Sequence, residues 1–340
     1  MKRSTIHVPF FWALMALPGC SLRADEPSLP YRAPADLVQL RVTTSAVDLD
    51  CRSAKGAAAI DIQLKRTFFD DFQRIDEQWT RWHPHFDGGW DAGAKRWLGY
   101  DWPTKRDLSI GTKEQQLYVD RGYPGTGKVP LGLNPFKRVN GHLEITAERT
   151  PPALKPVLMG REFISGLLTS RPSLTQKQGF FEIRARMPAG KALWPAFWLL
   201  PQDKSWPPEI DVFEVVGQKP EEIVQTVHWK DAQAPGGRRH SSCYTRVPDS
   251  TSAFHQYGVL WTAQRIVFYI DRQAVAHMRT PPGYDQPMYL LMNLAVGGIM
   301  VGRADDETPL PAALAVEWVA AYQLPDESLG SLDAARARKP

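Results

Sequence analysis

Cysteine is scarce in this chain, with three among 340 residues. None stands at a spacing, with another cysteine or with histidine, that builds a zinc site. An excess of one charge is missing too: 41 Lys and Arg face 37 Asp and Glu, a net charge of +4. That balance, with no basic helix and no stacking motif, gives no footing for nucleic-acid binding. Long helical periodicity and internal repeats are absent, which excludes bundles and solenoids. The apolar stretch from Val8 to Leu17 falls well short of the roughly 20 residues that cross a membrane as a helix.

What is present is a succession of short strand patterns punctuated by Gly, Pro and Asp. His255 to Trp261, Arg265 to Ile270 and Ala274 to His277 read as a meander, with turns at Thr262–Gln264 and Asp271–Gln273. Tyr289 to Val296 and Leu314 to Gln323 are two further strands. Many short strands over such a length predict an all-β fold, a two-sheet β-sandwich. Tryptophan is plentiful at twelve residues, and exposed indole faces suit sugar rings. Core packing is the other use of tryptophan, and both are expected here.

Residues 206–214 read Trp-Pro-Pro-Glu-Ile-Asp-Val-Phe-Glu. Glu209, Asp211 and Glu214 sit among apolar, β-branched and aromatic residues, the pattern of a buried or half-buried strand. Burying unpaired charge is expensive, and chemistry is the usual reason to accept it. Alternation puts Glu209 and Asp211 on one face and Glu214 on the other. One extra residue, a β-bulge around Val212 and Phe213, would bring all three to the same groove. Two carboxyl groups flanking a sugar linkage are what glycoside hydrolysis requires; a structural carboxylate network or a bound cation is the other reading.

Glu209-Ile-Asp211-Val-Phe-Glu214 resembles the signature of glycoside hydrolase family 16. So do Ser165–Ser170, Gly179–Arg184 and Leu193–Pro201 before it, and Thr226–His228, Tyr257–Trp261 and Met292–Gly298 after it. The likeness runs from about Phe68 to about Tyr322 and is nearest to bacterial succinoglycan-depolymerising, lichenase-like and laminarinase-like endo-β-glycanases. It implies a concanavalin-like β-jelly roll with a concave substrate cleft. It also implies a retaining mechanism with Glu209 as nucleophile, Glu214 as general acid/base and Asp211 tuning both. Three neighbouring carboxyl groups cannot all ionise freely, so one is expected to hold its proton.

Binding residues follow from position and resemblance together. Trp194 and Trp198 share a strand face and span two or three sugar subsites if neither is core. Trp206 stands at the rim as a stacking candidate. His228 is expected to line the cleft near the acid/base. Asn293 interrupts an apolar strand and needs partners, in the cleft or elsewhere. Glu182 and Arg184 share a strand face, as a charge pair in the cleft wall or on an ordinary surface. Lys113 replaces the Asn usual before Glu114, and Trp229 stands where a small residue is common, which would narrow a subsite or add a stacking face. The resemblance also implies one structural calcium near the last strand, where Glu317 replaces the usual Asp. No cofactor is needed for catalysis.

Lys2, Arg3 and the following apolar stretch read as an export signal over residues 1–24. Leu17–Cys20 resembles a lipobox with Cys20 lipidated; cleavage after Ala24 is the other route. A periplasmic, outer-membrane lipoprotein or secreted location is expected. Residues 25–64 read as an N-terminal extension, 65–324 as the catalytic sandwich and 325–340 as a polar tail. Cys51 and Cys243 are either bridged, as an oxidising compartment permits, or two separate thiols. A monomeric endo-β-glycanase acting on a β-1,3/1,4-glucan or a bacterial exopolysaccharide, succinoglycan-like first, is the reading carried forward. A transglycosylase that remodels cell-envelope polysaccharide and a non-catalytic carbohydrate-binding protein are the alternatives.

Overall fold

Apolar residues at alternate positions give most of the chain strands with one face buried. The computed structural model describes residues 33–45, 48–75, 80–85, 90–91, 96–97, 112–203 and 205–324. The segment read as an export signal, Cys20 and the tail after residue 324 lie outside them.

In chain order the first strands are β1 (Leu37–Thr43), β2 (Arg52–Ser53), β3 (Ala59–Asp70), β4 (Trp90–Asp91), β5 (Arg96–Trp97), β6 (Gln116–Tyr118) and β7 (Phe136–Val139). Then come β8 (His142–Arg149), β9 (Phe163–Ser165), β10 (Leu167–Thr169), β11 (Gly179–Arg186), β12 (Leu193–Pro201), β13 (Glu209–Val215) and β14 (Glu222–Lys230). The last are β15 (Arg238–Arg246), β16 (His255–Trp261), β17 (Arg265–Ile270), β18 (Gln273–Arg279), β19 (Met288–Val296) and β20 (Ala312–Gln323). The meander and the two late strands stand where their patterns predict them.

Two sheets carry the fold. The six-stranded sheet has the order β10-β19-β12-β13-β14-β15. The larger one runs β2-β18-β17-β16-β11-β20-β8-β9-β6, with β3 also on β20 and β7 on β8. The main core lies between them. Phe181, Ile183, Val259, Trp261 and Phe268 from the larger sheet meet Phe197, Ile210, Phe213, Leu290 and Met292 from the smaller.

A second apolar layer closes the far face of the larger sheet. Val38, Leu40, Val42, Ile62 and Leu64 cover Phe180, Leu260, Tyr269, Trp318 and Tyr322. The segment before residue 65 is therefore built into the fold. β3 runs without a break across that position: its first half pairs with β1 and its second half with β20.

This outer layer corrects one expectation. Phe181 and Ile183 face the core, so Glu182 and Arg184 face away from it, on the sheet opposite the acid strand. Nor do they pair with each other. Glu182 accepts two hydrogen bonds from the Arg272 guanidinium, at 3.1 and 3.0 Å, and Arg184 Nε donates to Glu317 at 2.5 Å. Glu182 is 1% exposed; burial pushes its carboxyl up and Arg272 pulls it back. Arg272 reaches it from a tight hairpin turn whose two central residues, Asp271 and Arg272, have φ of 48° and 61°. The twist of the flanking strands demands that left-handed pair.

The open question about the cysteines resolves as a bridge, Cys51–Cys243, with a Cα separation of 5.7 Å. Cys51 precedes β2 at one end of the larger sheet, and Cys243 lies on β15 at one end of the smaller. The bond staples the two sheets along one side and closes 192 residues. Loop-closure entropy makes such a restraint worth about 3–5 kcal/mol. Replacing both cysteines by serine is expected to lower Tm by roughly 5–10 °C. Calorimetry checks this, and an unchanged Tm would mean that the bridge ties down only a frayed edge.

Candidate active site

The bulge expected in the acid strand is present. Against β12, Phe197 faces Phe213 and Trp198 faces Asp211, which leaves Val212 without a partner. Against β14, Asp211 pairs with Thr226 and Glu214 with Val224, so two residues of β13 oppose one. Val212 and Phe213 both enter the core. Glu209, Asp211 and Glu214 consequently share the opposite, concave face.

Each acid has a dedicated partner. Trp194 Nε1 donates to Glu214 Oε1 at 3.0 Å, Trp206 Nε1 donates to Glu209 Oε2, and His228 Nε2 lies 3.2 Å from Asp211 Oδ2. The Tyr284 hydroxyl lies 2.8 Å from the Glu209 carbonyl and 2.6 Å from the His228 carbonyl, with its one proton to donate to either. It clamps the start of β13 to β14 where Glu209 faces His228.

Beside the acids, Asn293 accepts from Trp198 Nε1 at 2.8 Å and donates to the Tyr118 hydroxyl at 3.0 Å. That hydroxyl donates to Glu114 Oε2 at 3.0 Å, and Glu114 also takes bonds from Thr112 and Gln116. The network reaches Glu214, because the Glu114 charge helps to raise it.

Trp194, Trp198, Trp206, His228 and Asn293 thus gather round the three acids, whereas Glu182 and Arg184 do not; His228 stands at the Glu209–Asp211 end and not beside Glu214 as expected, because β14 pairs it with Glu209. Trp194 is 7% exposed and offers an N–H rather than a ring face; Trp206, 45% exposed, is the open platform. Trp229 is buried in the core and adds no stacking face. Lys113 is exposed with φ of 59°, a left-handed conformation for which Asn is better suited. Glu114, Tyr118 and Tyr284 complete the site. The first stands beside Lys113, at a position the family resemblance points to, and no sequence pattern marks Tyr118 or Tyr284.

Electrostatics at the site are dominated by burial. Burial first, and the Asp211 charge second, push Glu209 up to about 8. Burial, then the Glu209 charge, push Glu214 up to about 7. Burial, then Glu214, hold Asp211 well above the usual carboxylate range. Glu209 and Asp211 share a hydrogen bond, so one of the two carries a proton. His228 is held below its ordinary value by burial and is neutral at pH 7.

Glu209, Asp211 and His228 are also the one group among the described residues whose donor atoms, all within 4.8 Å of one another, could hold a metal ion. Their hydrogen bonds to each other already satisfy them. Glu317 does not fit a calcium site, since the Arg184 guanidinium occupies its carboxylate.

Comparison with known proteins agrees with this geometry. The model for Glycosyl hydrolases family 16 matches residues 133–320. The endo-1,3-1,4-beta-glycanase EglC of Rhizobium meliloti (strain 1021) is 40% identical over 261 residues, 77% of this chain and 52% of that protein. The beta-glucanase of Rhodothermus marinus is 35% identical over 205 residues, 55% of this chain and 70% of that protein. Among solved structures, the laminarinase from Rhodothermus marinus superposes with a TM-score of 0.59 at 28% identity, over 77% of this chain and 98% of that one. The fold is that of these jelly rolls, and the chain spans about half the length of the Rhizobium relatives.

The raised carboxyl groups make stability depend on pH. In the folded state Glu209 and Glu214 hold protons that the unfolded chain releases near 4.5. Their contribution is whole below that pH and is lost as pH rises through about 7–8. Glu209→Gln is therefore expected to melt above the wild-type protein at pH 8, with the advantage shrinking toward pH 5. Calorimetric scans of both proteins at the two pH values check the sign.

Proposed function

The chain belongs to glycosyl hydrolase family 16, and from that premise we propose that it is a retaining endo-β-glycanase. It cleaves internal linkages of a β-1,3/1,4-glucan, or of a bacterial exopolysaccharide with such linkages, by double displacement. The observation that carries this reading is the bulge at Val212–Phe213, which turns Glu209 and Glu214 to one face and gives each an indole N–H.

In the first step a Glu209 oxygen attacks the anomeric carbon while Glu214 gives its proton to the departing glycosidic oxygen. The chain breaks, and a glycosyl ester on Glu209 remains. In the second step Glu214, now a carboxylate, takes a proton from water, whose oxygen attacks the same carbon and frees Glu209. The nucleophile must be ionised when it attacks. The Trp206 N–H favours that state, and the proton that Glu209 holds at rest can pass to Asp211 along the hydrogen bond they share. The raised Glu214 supplies an acid at neutral pH. The reaction needs no cofactor. A groove of strands open along one concave face admits the middle of a polymer, which fits internal cleavage.

The names of the relatives, an endo-1,3-1,4-beta-glycanase and a beta-glucanase, support the linkage class. A succinoglycan-like polymer is the first exopolysaccharide to test. We also place the protein outside the cytoplasm, as a periplasmic, secreted or Cys20-anchored form. The bridge Cys51–Cys243 supports that location, since such bonds persist in oxidising compartments.

Product sizing on succinoglycan, barley β-glucan and laminarin tests the activity. Shortened chains are expected from at least one polymer with the wild-type protein and from none with Glu209→Gln. Products longer than the donor fragments would show transfer to sugar instead of water, and binding without cleavage by both proteins would make it a lectin. Glu214→Gln is expected to lower kcat/KM about 10²–10⁴-fold. In the wild-type protein kcat/KM should fall as pH rises past about 7, when Glu214 loses its proton.

A further inference from the structure

The outer edge of the groove carries a charge that the proposed reaction does not use. β15 is the edge strand of the smaller sheet, and His240 on it pairs with His228. Their rings lie 5.5 Å apart, so His240 is on the groove side, and Arg238, two residues earlier, shares that side. The Arg238 guanidinium sits 4.7 Å from the centre of the Trp206 ring, whose N–H is bonded to Glu209. One arginine thus stands a single side chain away from the nucleophile.

The other two arginines of β15 each have an acid. Arg239 pairs with Asp231 at 3.0 Å and Arg246 with Glu221 at 3.1 Å. Arg238 has no carboxylate partner among the described residues, and Lys230 lies directly opposite it on β14. An exposed arginine of this kind is ordinarily swept by its own rotations. Here the guanidinium lies over the indole while the residue stays exposed, so the ring limits its rotations and its N–H groups remain open to solvent. That is the arrangement that receives an anion through paired, charge-assisted hydrogen bonds.

We propose that Arg238, seated on Trp206 and backed by Lys230, forms an anion-accepting subsite that selects polymers carrying a carboxylate or sulfate near the sugar stacked at Trp206. The inference rests on the glycanase reading. It makes the rim a specificity determinant: neutral sugar stacks on the half-open indole, and an anionic substituent rounding its edge meets the guanidinium. The proton shared by Glu209 and Asp211 keeps the floor beside this rim from repelling the same anion.

The test uses barley β-glucan and the same glucan after partial carboxymethylation. The readout is the ratio of kcat/KM on the charged to the neutral polymer, so that random blocking of subsites cancels between variants. Arg238→Gln is expected to lower that ratio about tenfold, the worth of one charge-assisted hydrogen bond. Arg238→Lys should keep part of it, and Arg246→Gln should leave it unchanged. Raising NaCl from about 0.02 to about 0.5 M should shrink the wild-type ratio and not that of Arg238→Gln.

An equal ratio in wild type and Arg238→Gln, with both polymers cleaved, overturns the subsite. Affinities of Glu209→Gln and of Glu209→Gln/Arg238→Gln for the two polymers separate the other outcomes. If wild type cleaves neither polymer but Arg238 still sets the binding ratio, the glycanase reading falls and the anion subsite stands. If the binding ratio is also indifferent to Arg238, both fall.

Discussion

The site depends on two consecutive side chains, Val212 and Phe213, entering the core together. In a regular strand one of them would face the groove and Glu214 would point between the sheets. An ionised carboxylate there, surrounded by Phe197, Val259 and Met292, would be far too expensive to keep. The apolar demand of Val212 and Phe213 and the solvation demand of Glu214 are satisfied by the same local shift of register. Core packing therefore enforces the spacing of the acids, and a hydrophobic interaction orients charged chemistry.

Once the three carboxyl groups share a face, they must share protons. Mutual repulsion and burial act in one direction on all of them. The protein answers with neutral donors, the indole N–H groups of Trp194 and Trp206, rather than with a cation. A lysine or arginine bonded to Glu214 would favour its ionised form and remove the acid. An indole gives one directional bond and no charge, so it orients a carboxyl without forcing it to ionise. Arg238, on the groove side of β15, stands farther out, against the ring of Trp206.

The fold and the acid strand were legible because both are written in short-range patterns: alternation, turn residues, and three acids in an apolar run. Two kinds of error show what such patterns omit. Glu182 and Arg184 do share a strand face, but nothing in β11 says which sheet it joins, and the face belongs to the far side. Each found a partner distant in sequence, Arg272 and Glu317. Trp229 fails for the complementary reason: its neighbour His228 faces the groove, so alternation turns Trp229 into the core. Tyr284 was invisible because it serves through backbone carbonyls, and a carbonyl leaves no mark on residue type. The bridge stayed open until the sheets were placed, since the pairing of β2 with β18 brings Cys51 to the edge that β15 forms.

The same contrast explains where specificity can reside on this scaffold. Positions in β12, β13 and β19 are held from both sides by strand neighbours and from below by the core, so their side chains are fixed by packing. Edge strand β15 has a neighbour on one side only. Its groove-facing residues, Arg238, His240, Ser242 and Tyr244, are exposed or half-buried and can change without disturbing the fold. The bridge at Cys243 compensates by tying this edge to the opposite sheet. A strand stapled in place but free in its side chains can vary which sugar the groove accepts while the acid strand beside it stays the same.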